Sequence, residues 1–304
     1  LCISTRDAAH LLQQGCKTAN RVLEIPPGAL YEIVYMISEA FAMFPMERLD
    51  RIVRKETRNV KSIVHDYGHL KRTAVGARWF VRILGGTKEE EELAYAAGLL
   101  HDIVRPASEK LCHVDDVDER SRKILSGIGI SEGDAERIVE AALGHRKVHE
   151  WKSVLHRSVF VSDKLLEQMG AYTSFRKSYY PGECMDYVGF EPMEALLDYI
   201  LRRRDMFNVE SFEPFFRPLA EYQYGKALGF YSALESGKAW ARELALHMYG
   251  HGKRHDAGLE EAVRLFKPSG REGEQMKKEA LLYMEGKMFP RFEEILLSRH
   301  DRNL

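Results

Sequence analysis

Cysteine is scarce and scattered: the chain holds four, Cys2, Cys16, Cys112 and Cys184, and none forms a Cys-x-x-Cys pair. That argues against a disulfide scaffold or a zinc ribbon and fits a reducing cytoplasm. No uninterrupted apolar run approaches the roughly 20 residues a membrane-spanning helix needs. The first residues lack the basic, apolar and small-residue order of a secretion signal. We therefore expect a cytoplasmic protein without a membrane partner. Neither sign of charge is in excess, 45 Lys+Arg standing against 46 Asp+Glu for a formal net charge of −1. No overall field draws in nucleic acid, so nucleic acid is not an expected partner. Arg202-Arg203-Arg204 is a local basic run that a solvated helix face explains. Internal repeats and low-complexity tracts are absent, as are a Walker loop and a Gly-x-Gly-x-x-Gly phrase. Gly127-Ile128-Gly129 lacks the flanking strand that a dinucleotide fingerprint requires.

Strand-like alternation is also missing, and almost everything reads as helix. With 304 residues, 45% of them hydrophobic and 30% charged, the chain suffices for one large or two ordinary domains. Pro26-Pro27-Gly28 precedes an apolar segment, Ala29–Met43, dense enough for core or a dimer face; a second copy of the chain is thus a candidate partner. Val64–Leu84 carries apolar residues mainly at helical spacing, and Gly85-Gly86 ends it. Thr87, with Glu90 three residues on, predicts a capping box for a helix over Glu91–Ile103. Helices are also expected at Asp115–Leu125, Ala135–Leu143, Ser153–Met169, Pro192–Arg204, Glu213–Ser236, Lys238–Tyr249 and His255–Phe266, with a last helix or pair over Glu274–Ser298. Tyr179-Tyr180-Pro181-Gly182-Glu183 reads as a loop over the site. The predicted class is all-α.

The chemistry gathers at a few polar residues set in apolar runs. His101 and Asp102 follow Leu99-Leu100, and Asp163 sits between Val161 and Leu165-Leu166. Groups of this kind are costly to bury unless something pairs with them. A divalent cation is such a partner, and it supplies chemistry as well. Upstream, His65 and His69 are four apart and so share one face of a helix. Each residue alone reads more readily as a satisfied core histidine or a salt-bridged aspartate; together they favour a metal. Two imidazoles and two carboxylates suit Mn, Fe, Co, Ni or Zn better than Ca, with Mg admissible.

Three phrases, in this order, resemble the HD superfamily of metal-dependent phosphohydrolases. They are His65-Asp66-Tyr67-Gly68-His69-Leu70-Lys71-Arg72, Gly98-Leu99-Leu100-His101-Asp102-Ile103, and Val161-Ser162-Asp163-Lys164-Leu165, which continues as Glu167-Gln168-Met169-Gly170-Ala171. The similarity spans about Arg58 to Gly170, and more weakly Phe212 to Phe266. It implies a helical bundle with His69, His101, Asp102 and Asp163 as metal ligands, His69 being chosen over His65 because His69 and Arg72 match the family's His-x-x-Arg. It implies a domain over 56–268, flanked by helical extensions at 1–55 and 269–304. Asp102, Lys164 and Arg105 are the candidate catalytic residues. Arg72, His65 and His145 are candidates for binding substrate and Lys110 is a further cation near the motifs, although Arg72 and Lys110 read more readily as surface or ion-pair side chains. His145 and His149 would share a helical face and are candidates for a second metal, but the family's adjacent histidine pair is missing and one ion is expected.

The implied activity is metal-assisted hydrolysis of a phosphoester or phosphoanhydride in a small phosphorylated molecule, a nucleotide by resemblance. Two other readings compete. A non-catalytic HD-type module would bind a nucleotide or act as a scaffold without turnover, yet it has no need of all four ligands. A zinc peptidase would use His65 and His69 as in His-Glu-x-x-His, but it leaves His101, Asp102 and Asp163 unexplained.

Overall fold

The capping box read at Thr87 and Glu90 opens a helix where the sequence placed one. In this computed structural model the described residues are 44–59, 62–105, 114–145, 153–204 and 208–298, so Ala29–Met43, Lys110 and His149 lie outside them. Among the described residues there are thirteen α-helices and no strand, which makes the protein all-α. They belong to a compact unit that begins at Met46.

Helix α1 (Met46–Glu56) leads to two short 3-10 turns and then to α2 (Tyr67–Ile83), capped by the Asp66 side chain accepting from the His69 amide. The capping box at Thr87 and Glu90 opens α3 (Lys88–Leu100), each side chain satisfying the other's amide. Helices α4 (Val114–Gly127) and α5 (Glu132–Gly144) follow, the second capped by Ser131. Ser153 caps α6 (Val154–Val161), which runs into a turn of π-helix, Ser162–Glu167. Beyond it come α7 (Gly170–Glu183), α8 (Pro192–Arg204), α9 (Arg217–Glu235), α10 (Ala239–Arg254), α11 (Leu259–Leu265), α12 (Arg271–Met284) and α13 (Phe289–Leu297).

Two close helix pairs organise the molecule. Helix α3 lies along α2, and at the contact a Cβ on Gly98 would stand 2.5 Å from the Cα of Ala74. Only glycine lets the two backbones meet there, and that approach carries His101, at the end of α3, toward His69 on α2. Helices α7 and α10 touch through Gly182 and Gly252, whose added Cβ atoms would run into the carbonyls of Tyr249 and Tyr179. Helix α7 also packs against α8, α9, α11 and α12. It is buried on nearly every side, with Tyr172, Phe175, Tyr179 and Tyr180 all in the core, as a helix at the centre of a bundle must be.

Three sequence expectations are corrected here. The stretch Tyr179–Glu183 is the last turn of α7 and not a loop: Pro181 removes a single helical N–H, and burial against α10 outweighs the turn preference of Pro-Gly. The helix expected over Ser153–Met169 is interrupted by the π-turn. His65 and His69 do not share a helical face, because His65 closes a 3-10 turn and Asp66 caps the helix that carries His69.

Candidate metal centre

Three histidines come together from α2, the end of α3 and the end of α5. His69, His101 and His145 are buried, and neighbouring rings are edge-on, 5.0 Å apart for His69 and His101 and 4.8 Å for His101 and His145. In each, Nδ1 has an acceptor: His69 donates to Glu167 Oε2 at 2.8 Å, His101 to the Gly98 carbonyl at 2.8 Å, and His145 to the Ala142 carbonyl. A carbonyl oxygen only accepts, so the proton of His101 and of His145 sits on Nδ1 and the lone pair on Nε2. Glu167 imposes the same tautomer on His69. The Arg72 guanidinium beside it holds that carboxyl well below the usual range against the upward push of burial. Burial keeps the His69 and His145 rings neutral, pushing the first down to about 4 and the second down to about 3.

The lone pairs converge. Nε2 of His69 and Nε2 of His101 face each other at 3.1 Å, and Asp163 Oδ1 lies 3.7 Å from the first and 3.9 Å from the second. With the Nδ1 protons engaged elsewhere, two Nε2 lone pairs that face each other repel at that distance, and a cation between them turns the repulsion into coordination. The donor set therefore fits a divalent transition metal. His69, His101 and Asp163 each offer a ligand atom within 4.8 Å of the others, and His101, Asp102 and His145 form a second such group. The four residues expected from sequence thus fall into two groups that share His101, and His145 joins the second. Asp102 Oδ1 is 3.7 Å from His145 Nε2, and Asp102 Oδ2 is 3.8 Å from His101 Nε2.

The π-turn explains how Asp163 arrives. Its wide turn, pinned by Ser162 Oγ donating to the Thr73 carbonyl at 2.8 Å, sets Asp163 on the Nε2 side of His69 and Glu167 on the Nδ1 side. Burial alone would raise the Asp163 carboxyl, but the Lys164 ammonium, whose Nζ is 2.6 Å away, holds it well below its ordinary value. Gln168 also donates to Asp163, at 3.1 Å. On the far side Arg105 Nη1 lies 3.4 Å from Asp102 Oδ1.

Glu167 was quoted in the sequence but given no role, although an acid after Leu165-Leu166 carries the same signal as Asp163. It accepts from His69, from Arg72 Nε at 2.8 Å and from Tyr283 on α12 at 2.6 Å. Arg72 also donates to Glu260 on α11 and to Tyr172, so its fork is filled by side chains. Carboxylates that orient a ligating histidine tune the site as much as the ligands do. His65 belongs to neither group, although its ring stands edge-on to that of His69, 5.6 Å away. Its Nδ1 is 2.7 Å from Ser62 Oγ, which donates to Glu183 Oε1 at 2.8 Å.

Residues 66–168, which include both groups and Glu167, match the model of the HD domain. The chain carries an HD domain over that stretch. The solved structure of Bacillus subtilis YpgQ in complex with ADP is similar at 21% identity, covering 63% of this chain and 99% of its own, with a TM-score of 0.43. No curated protein matches the chain.

Proposed function

We propose that the protein is a metal-dependent phosphohydrolase that cleaves a phosphoester or phosphoanhydride, with a nucleotide as the substrate class that its motifs imply. The observation that carries this reading is the pair of facing Nε2 lone pairs beside Asp163, inside an HD domain. When bound, the ion lowers the pKa of a water toward neutrality and polarises a phosphoryl oxygen.

The chain's own residues divide the remaining work. His69, His101, Asp102 and Asp163 would hold the ion, and Glu167 and the Gly98 carbonyl fix the tautomers of the two histidines. Asp102, buried between His101 and His145, is the carboxylate to take a proton from the attacking water. Arg105 and Lys164, beside the two aspartates, offset charge that develops on phosphoryl oxygens. His65 and His145 face substrate, and Arg72 acts through Glu167. His145, with His101 and Asp102, is the place for a second ion should the enzyme use one.

A panel of nucleoside mono- and triphosphates, cyclic nucleotides and guanosine alarmones, assayed with several divalent metals, tests this. His101→Ala, Asp102→Ala and Asp163→Ala should each abolish phosphate release while the helical signal persists. A triple variant that works at the wild-type rate would overturn the reading. Inert metal-loaded wild type would point to a non-catalytic module, and cleavage of a peptide substrate that is lost with His65→Ala but kept in Asp163→Ala would point to a peptidase.

A further inference from the structure

Arg176, on α7, is 8% exposed, yet among the described residues it has no carboxylate within ion-pairing distance. Its only hydrogen bond there is Nε to the Val64 carbonyl, at 3.3 Å. Its two Nη groups make none there, and neither is among the fully sealed, unpartnered atoms, so both keep some contact with solvent. The acid best placed to neutralise it, Glu183, sits seven residues on along the same helix and is used otherwise. Glu183 accepts from Ser62 Oγ at 2.8 Å, from the Ile63 amide at 2.7 Å and from the Val64 amide at 3.2 Å. Burial also pushes the Glu183 carboxyl up to about 7, so it is a weak counter-charge at neutral pH.

A guanidinium cannot shed its proton, and burying it unpaired costs several kcal/mol, on the order of the penalty for one uncompensated ion. Such a group stays in a fold when something outside the chain completes it. Arg176 is close enough to the metal centre for its charge to act on both His65 and His69. The other cations of the site are engaged, Lys164 by Asp163 and Arg105 by Asp102. The fork with open Nη groups is that of Arg176, on the His65 side. Planar forks match phosphoryl oxygens two at a time, as a lysine cannot.

We propose that Arg176 binds a phosphoryl group of the substrate, through its two Nη groups, on the His65–His69 side of the metal centre. The proposal deepens the phosphohydrolase reading and rests on it for the identity of the anion. Sequence reasoning missed the residue because Arg176 follows the last motif in an ordinary-looking stretch, Tyr172-Thr173-Ser174-Phe175-Arg176.

Calorimetric titration of the metal-reconstituted full chain with inorganic phosphate tests it, alongside KM and kcat for the best nucleotide of the panel. Arg176→Gln keeps an N–H for the Val64 carbonyl but removes the charge; it should weaken phosphate binding at least tenfold and raise KM. Arg176→Lys should fall between. Phosphate affinity and KM within twofold of wild type in a folded Arg176→Gln would overturn the proposal and leave the enzyme reading standing. Arg176-dependent phosphate binding by a wild type that hydrolyses nothing would sustain the site and sink the enzyme reading. Should Arg176→Gln fail to fold, a wild-type crystal with phosphate decides: an anion on the guanidinium supports the proposal, and one bound elsewhere refutes it.

Discussion

The Nε2 atoms of His69 and His101 face each other at 3.1 Å while the Nδ1 proton of each is engaged elsewhere, on Glu167 and on the Gly98 carbonyl. The arrangement is set by backbone features as much as by the donor atoms themselves. Gly98 permits the approach of α3 to α2, the same residue's carbonyl fixes the His101 tautomer, and the π-turn delivers two carboxylates to opposite sides of His69.

Metal should stabilise the fold. An ion that binds only the folded chain adds about 2.7 kcal/mol at one hundred times its Kd. Thermal melts of chelator-treated protein should shift upward with Mn, Fe(II), Co, Ni or Zn, and His69→Ala should lose that shift. A melt that ignores every metal would count against the site.

Glu167→Gln should weaken metal binding by roughly 10–100-fold, because it frees the His69 ring. It should also reduce unfolding free energy by about 3 kcal/mol, since Arg72 loses a fully buried partner. Glu260, the other acid on Arg72, has a side chain 41% exposed. Glu260→Gln should therefore change stability by no more than about 1 kcal/mol. Denaturant melts of the two variants check the contrast.

Gly98→Ala places a Cβ 2.5 Å from the Ala74 Cα and 2.8 Å from the Ala74 amide nitrogen, both backbone atoms that cannot swing aside. We expect a loss of about 1–3 kcal/mol together with reduced metal retention, because α3 carries His101. Wild-type stability in this variant would mean that the helices have slack at the contact.

Lys177 governs an alkaline pH dependence. Partly buried, with Tyr231 Oη as its hydrogen-bond partner at 2.8 Å, it is pushed down to about 7, by burial first and then by the charges of Arg203 and Arg176. Unfolding restores the ordinary lysine value, so between about pH 7 and pH 10 the unfolded chain holds more protons and stability rises with pH. The slope for this one group is at most about 1.4 kcal/mol per pH unit. Below pH 7 the group is protonated in both states and adds no slope. Lys177→Met should stabilise at pH 7 and flatten the rise, as melts across this range would show.

Much of this was legible in the residues themselves. Thr87 with Glu90 marked a helix start because a cap is a local interaction. His101 and Asp163 stood out because polar groups in apolar runs need partners, whereas His69 was preferred to His65 only through the resemblance of His69 and Arg72 to the HD phrase. What the sequence hid was non-local. The burial of Tyr179–Glu183 depends on Gly252, about seventy residues away. Nothing in the stretch Ser162–Glu167 announces a π-turn over an α-turn. Glu167 and Arg176 gain meaning only from neighbours on other elements, respectively His69 and Tyr283, and Val64.

The most direct test is the metal content of the purified full-length chain, measured by mass spectrometry beside that of His101→Ala, the histidine both groups share. The account predicts at least about one tightly held divalent ion per wild-type chain and essentially none in the variant. A wild-type chain that takes up no ion, or a variant that retains the wild-type amount, would contradict it.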